Sequence, residues 1–246
     1  MSSWNQGPFN RNYNQNYRAQ PLDYGQAASP AIATFFTAVY GWMSAGLALS
    51  AAVAWVIHEQ DIQISRGTLL ILFIAEIGLV IAISGAVNRI GATAATFLFL
   101  LYSALNGVTL SGFVMSYAHA TLASTFIVTA GTFGAMSLYG MVTHRDLTRY
   151  RNLLFMALIG VILATLVSMF FANSPIYWLI NYMGVLLFVG LTAYDTQRIK
   201  SLAFQTSGDA AMAARYSIVG ALTLYLDFLN LFLFLLQILG NNARRR

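Results

Sequence analysis

The sequence predicts an all-α integral membrane protein, a bundle of seven transmembrane helices. Three observations carry that prediction. Charged residues make up 9% of the 246 residues and apolar residues 58%, against about 25% and about 45–50% in soluble domains. The apolar residues gather into runs of about 20 or more, the length that takes an α-helix across about 30 Å of hydrocarbon. Those runs are continuous rather than alternating, which excludes the period-two strands of a membrane barrel.

Residues 1–30 are rich in Asn, Gln and Tyr and contain no apolar run. Such a segment buries too little surface to fold, so it is read as a disordered tail. It also lacks the apolar stretch of a cleaved signal peptide. The first span, 31–57, follows Pro30 and ends at the polar group His58-Glu59-Gln60-Asp61. The second, 68–87, stops at Asn88-Arg89; the third, 93–116, starts beyond Gly91; the fourth, 121–142, ends before His144-Arg145-Asp146. The fifth, 152–172, is closed by Asn173-Ser174-Pro175, the sixth is 176–197, and the seventh is 216–239. The membrane domain is thus 31–240, with a basic tail at 241–246 that holds Arg244, Arg245 and Arg246. No length remains for a soluble catalytic domain.

Arginine placement orients the bundle. Nine of the thirteen basic residues fall in the N-terminal tail (Arg11, Arg18) and the second, fourth and sixth connections; the first, third and fifth connections hold only Arg66. The positive-inside rule then places the N-terminus in the cytoplasm. Seven spans carry the last three arginines to the opposite side, and the competing topology bends the last segment back. A net charge of +5 does not indicate nucleic acid, because the basic residues stand singly or in small groups beside apolar segments, as topology determinants do.

Glu76, Asp195 and Asp227 are three of only eight acidic residues, and each lies inside an apolar span. A carboxylate in hydrocarbon is costly unless paired, protonated or hydrated, so such residues point to ions or protons. In the seventh span Gly220, Thr223, Asp227, Asn230 and Gln237 fall within about 100° of one another on a helix. This stripe faces the bundle or a watered cavity, and its plainer reading is hydrogen bonding between helices. Asp195 ends the sixth span one turn before Arg198, which offers a simple interfacial pair. If the sixth helix continues a turn or two beyond Arg198, Asp195 and Asp227 meet at similar depth. Two acids about 4 Å apart repel by about 4 kcal/mol at an effective dielectric of 20, so the pair shares one proton and titrates as a unit. Glu76 has no cation within a turn, and Arg89, at the end of that helix, reads best as a topology charge.

Several chemistries are excluded. The chain has no cysteine, which removes disulfides, thiolate metal sites and iron–sulfur clusters. His58, His119 and His144 stand at span ends or in connections, so an intramembrane bis-histidine haem or a histidine-based protease lacks its parts. Ser111-Gly112 is preceded by Thr109 rather than by the glycine of a nucleophile elbow. The only lysine is Lys200, so no Schiff base to retinal forms deep in a span. The expectation is a protein that is not an enzyme and holds no cofactor.

At Tyr194-Asp195-Thr196-Gln197 and Leu224-Tyr225-Leu226-Asp227-Phe228-Leu229-Asn230-Leu231-Phe232 the chain resembles the Bax inhibitor family, also called the transmembrane Bax inhibitor motif family, in its bacterial form. Glu76 and Arg145-Asp146-Leu147-Thr148 support the resemblance, which covers about residues 31–240. The resemblance implies a seven-helix bundle with the last helix central, in the bacterial inner membrane. It also implies a calcium-permeable leak controlled by two aspartates, which carry over as Asp195 and Asp227. The family further pairs the second-helix acid with an arginine at that helix's inner end; Glu76 matches the acid, and the nearest arginine is Arg89, about two residues farther along. Calcium, as permeant ion rather than cofactor, takes about six to eight oxygens; the two carboxylates with Asn230 make a weak metal site, with Glu76, Arg89 and Arg198 in supporting places. The partners expected are calcium ions, the lipid bilayer and other membrane proteins. Two further functions are open: a proton-coupled secondary transporter, and a non-transporting regulator of a membrane protease or similar partner.

Overall fold

A computed structural model describes residues 30–86, 89–168 and 174–243. The expected disordered tail at 1–30 lies outside the described residues except for Pro30, as do the last residues of the second and fifth spans and Arg244 to Arg246. Seven helices are long and apolar enough to cross a membrane. They are α1 (Pro30–Glu59), α2 (Arg66–Ala86), α3 (Ala92–Ser116), α4 (His119–Val142), α5 (Arg151–Ser168), α6 (Ser174–Thr206) and α7 (Ala210–Ala243), and no strand occurs among the described residues.

Local chemistry sets the ends. Pro30 occupies the first position of α1, where its missing N–H is no loss. Ser65 Oγ accepts from the Thr68 amide at 3.1 Å to start α2, and Asp209 Oδ1 accepts from the Met212 amide at 3.0 Å to start α7, each filling an orphan donor of a helix N-terminus. Asp61 takes φ 48° in the turn after α1, a conformation that Asp tolerates better than most residues.

Two helices outrun their expected spans. α6 continues eight residues past Arg198, to Thr206, and α7 begins at Ala210 rather than near 216. Hydropathy ends a span where water begins, whereas helical hydrogen bonding does not, and Arg and Lys are good helix formers. The α6–α7 corner is thereby reduced to Ser207-Gly208-Asp209. α7 runs unbroken to Ala243, which disposes of a last segment that bends back.

α7 is the most buried span and packs against α1, α2, α3, α4 and α6. The core gathers Val39, Phe99, Ile218, Leu222, Leu224, Tyr225 and Leu231, all nearly free of solvent. α5 packs chiefly on α6 and has no buried residue. Its exposed Leu153, Phe155, Met156 and Ile162 form the apolar outer surface that a membrane protein presents to lipid, not a defect of packing.

Close approach depends on small residues. A Cβ at Gly107 would stand 2.6 Å from the Ser50 carbonyl oxygen, and one at Gly46 would stand 2.5 Å from Phe99 Cζ, so α1 and α3 touch almost backbone to backbone, as small residues permit within membranes. Gly140 of α4 likewise abuts the Ala193 carbonyl of α6. We predict that Gly140→Val destabilises the bundle by about 1–3 kcal/mol through overpacking, read as a lowered thermal midpoint in detergent. Gly160→Val, at a position with open space around it, leaves that midpoint nearly unchanged.

Candidate functional site: a buried aspartate pair

The extension of α6 and the antiparallel return of α7 bring Asp195 and Asp227 together. Their carboxyl groups face each other within hydrogen-bonding range. Both are buried within the bundle, at 7% and 3% exposure. Arg198 is near enough to act on Asp195 electrostatically, as the one-turn spacing suggested, but Asp227 is the group in contact. Asp227 Oδ2 is fully buried and has no hydrogen-bond partner among the described residues. The amide nitrogen of Asn230 donates to the Leu226 carbonyl of its own helix at 2.8 Å. Thr223 is similarly turned to Val219 O, at 3.0 Å. The α7 stripe is real, but its acid is the member that reaches across to another helix.

Glu76 gains a partner that its own helix does not supply. Thr109 of α3 donates to Glu76 Oε1 at 3.1 Å, and Glu76 is 8% exposed. Arg89 is elsewhere, exposed in the α2–α3 connection. Ten helical residues from Glu76 to Ala86 already span about 15 Å, so the structure does not bring that arginine to this acid. Tyr102 and Tyr225 lie within electrostatic reach of Glu76. Tyr225 and Asp227 are two residues apart on α7 and therefore point to nearly opposite sides of it. Glu76 and the aspartate pair thus belong to separate polar clusters.

Hydroxyl groups absent from the sequence-level candidates tie this region together. Ser50 Oγ donates to Ser103 O at 2.7 Å and lies 2.6 Å from Tyr225 Oη, joining α1, α3 and α7. Tyr225 is fully buried between Phe99 and Tyr102, each edge-on at 5.7 Å. On the other side Tyr40, Ser137 and Thr196 form a hydroxyl chain from α1 through α4 to α6, ending on Thr192 O at 2.7 Å. Thr196 adjoins Asp195, so this chain fixes the turn of α6 that carries the acid.

The end of α6 is held from outside as well. Gln197 Oε1 accepts from the Leu147 amide at 2.9 Å, and its Nε2 donates to Arg145 O at 2.8 Å. Lys200 Nζ donates to Met141 O at 2.8 Å, at the C-terminal end of α4, where a cation also suits the helix dipole. The segment Arg145-Asp146-Leu147-Thr148 is therefore a clasp on α6. Within it Asp146 accepts from the Thr148 amide at 2.9 Å and from its hydroxyl at 2.5 Å. These bonds hold the Asp146 carboxyl below its ordinary value.

The fold and its paired intramembrane acids define a class: a seven-helix integral membrane protein with a buried carboxylate dyad and no clustered ligands for a resident metal among the described residues. The family model described as Inhibitor of apoptosis-promoting Bax1 matches residues 32–244. The chain is 50% identical over 214 residues to the inner membrane protein YbhL of Escherichia coli K12, which covers 85% of this chain and 92% of that one. It is 46% identical over 211 residues to a protein of Borreliella burgdorferi (84% and 91% covered) and 42% identical over 214 residues to one of Deinococcus radiodurans (86% and 91% covered). The chain belongs to the Bax inhibitor family.

Two outcomes follow for the supporting contacts. Tyr225→Phe removes one buried hydroxyl bond and lowers stability by about 1 kcal/mol, measurable as a shift in thermal midpoint in detergent. The Asp146 cap is intact above the ordinary carboxylate value and lost as pH falls through the depressed one, below about 4; amide exchange at Thr148 should accelerate there, and Asp146→Asn should weaken that pH dependence.

Proposed function

We propose that this protein is a passive cation leak of the bacterial inner membrane, selective enough to pass calcium and controlled by protonation of the Asp195–Asp227 pair. The observation that carries the reading is the contact of two buried carboxylates from α6 and α7, with Asp227 Oδ2 unpartnered among the described residues. Bundle packing alone gives no reason for such a pair: apolar residues or Thr and Asn hold helices together without burying acid. Deprotonated, the two carboxylates offer up to four oxygens, an incomplete set for calcium, which prefers about six to eight. An incomplete site binds weakly, and a permeation site must release its ion.

Protonation changes both charge and packing. A proton shared between the acids removes the charge that attracts a divalent cation and adds a hydrogen bond between α6 and α7. Arg198 contributes positive charge beside the pair and opposes cation entry. Acidification therefore closes the leak. The inner-membrane location rests on the relative named as an inner membrane protein, and the cytoplasmic N-terminus on arginine placement.

Purified protein in liposomes with an internal calcium dye tests this. Calcium uptake down its gradient is expected, falling as pH is lowered, and Asp227→Asn or Asp195→Asn should reduce it about tenfold or more and flatten its pH profile. Uptake that keeps both rate and pH dependence in the two variants refutes the reading. Accumulation driven by an imposed pH gradient points instead to proton-coupled transport.

A further inference from the structure

The aspartate pair is sealed from one side by a layer only about one helical turn thick. On that side α1, the first turns of α3, and the α6–α7 corner enclose a cleft of about 950 Å³, lined in part by Phe35, Ala38, Ala203, Thr206, Ala213 and Ser217. The same helix faces continue from the cleft to the acids. On α6, Ala203, Ile199 and Asp195 follow at four-residue steps; on α7, Ala213, Gly220 and Asp227 follow at seven-residue steps. Both spacings keep side chains on one face of a helix.

Ile199 and Gly220 lie between cleft and acids on both faces, and α1 adds Val39, the neighbour of cleft-lining Ala38. The three converge: a Cβ at Gly220 would be 3.3 Å from Val39 Cγ2 and 3.5 Å from Ile199 Cγ1. Val39 is 0% and Ile199 2% exposed. Four residues separate Ile199 from Asp195, about 6 Å of helix. An apolar constriction of this kind blocks ions by excluding water and needs no charged plug.

We infer that the cleft is the aqueous antechamber of the aspartate pair, and that Val39, Ile199 and Gly220 form the hydrophobic gate between them. This deepens the proposed leak and rests on it for its physiological meaning, while the access route itself is a separate physical claim. Opening requires α1 or α6 to withdraw one side chain from the face of Gly220. The gate's size is adjustable in both directions: Ile199→Ala thins it, and Gly220→Ala fills the contact with Val39.

The absence of native cysteine makes the route directly measurable. In oriented vesicles a charged, membrane-impermeant thiol reagent is applied to each face in turn. Ala214→Cys, at an exposed position of the cleft lining, should react from the face bearing the α6–α7 corner. Asp227→Cys should react slowly from that face, and several-fold faster when combined with Ile199→Ala. In liposomes carrying the native aspartates, Ile199→Ala should raise cation flux several-fold and Gly220→Ala should lower it. The gate is refuted if Asp227→Cys reacts as fast as Ala214→Cys before any thinning, or if Ile199→Ala changes neither labelling nor flux. If no variant passes cations but the labelling pattern holds, the leak fails and the access route stands.

Discussion

Two carboxylates brought together inside hydrocarbon impose conditions on everything around them. Each is disfavoured by loss of water, and their proximity adds repulsion whenever both are ionised. The pair persists because the helices carrying it are fixed by other bonds. Thr196, next to Asp195, is bound through Ser137 to Tyr40, and Gln197 and Lys200 pin the following turn to the end of α4. On α7, Tyr225 is anchored to Ser50 two residues before Asp227. Repulsion between the acids therefore acts on a framework with opposing restraints. The turns that carry the acids are thus held in place by bonds the acids themselves do not make.

The restraints are mostly hydroxyl groups that bond outward to another helix while their own helix stays intact. Such bonds are individually modest in membranes, so the geometry rests on several of them acting together. Where backbones approach closely, at Gly46, Gly107 and Gly140, the missing side chain brings helices near enough for those short hydroxyls to reach. Packing and polar contacts are thus one arrangement: without the glycines, Ser50 and Ser137 would fall short of their partners.

The sequence reading located seven spans and singled out the two aspartates because apolar runs and isolated acids are local signals. It anticipated their meeting by counting residues on antiparallel helices, conditional on α6 continuing beyond Arg198, and α6 does continue to Thr206. It read Arg198, Lys200 and Arg215 as connection charges, since hydropathy marks the edge of hydrocarbon and not the end of a helix. The hydrogen bond of Asn230 was not legible: a stripe gives the face, but not that the amide nitrogen donates back to Leu226. Partners across the bundle were invisible for the same reason. Ser50 and Tyr225 are separated by 175 residues, and nothing local in either distinguishes them from any hydroxyl in a span. Thr109 could have been suspected as the companion of Glu76 only once α2 and α3 were known to pack.

α6 and α7 are 33 and 34 residues long, each about 50 Å of helix, while the hydrocarbon core is about 30 Å thick. Helices that outreach the bilayer must lean or project, and the extent of leaning changes with the thickness of the lipid around them. The two long helices are those that carry the paired acids, and their joint tilt sets how the acids meet. Lipid chain length thereby becomes a mechanical input to the contact between the two acids.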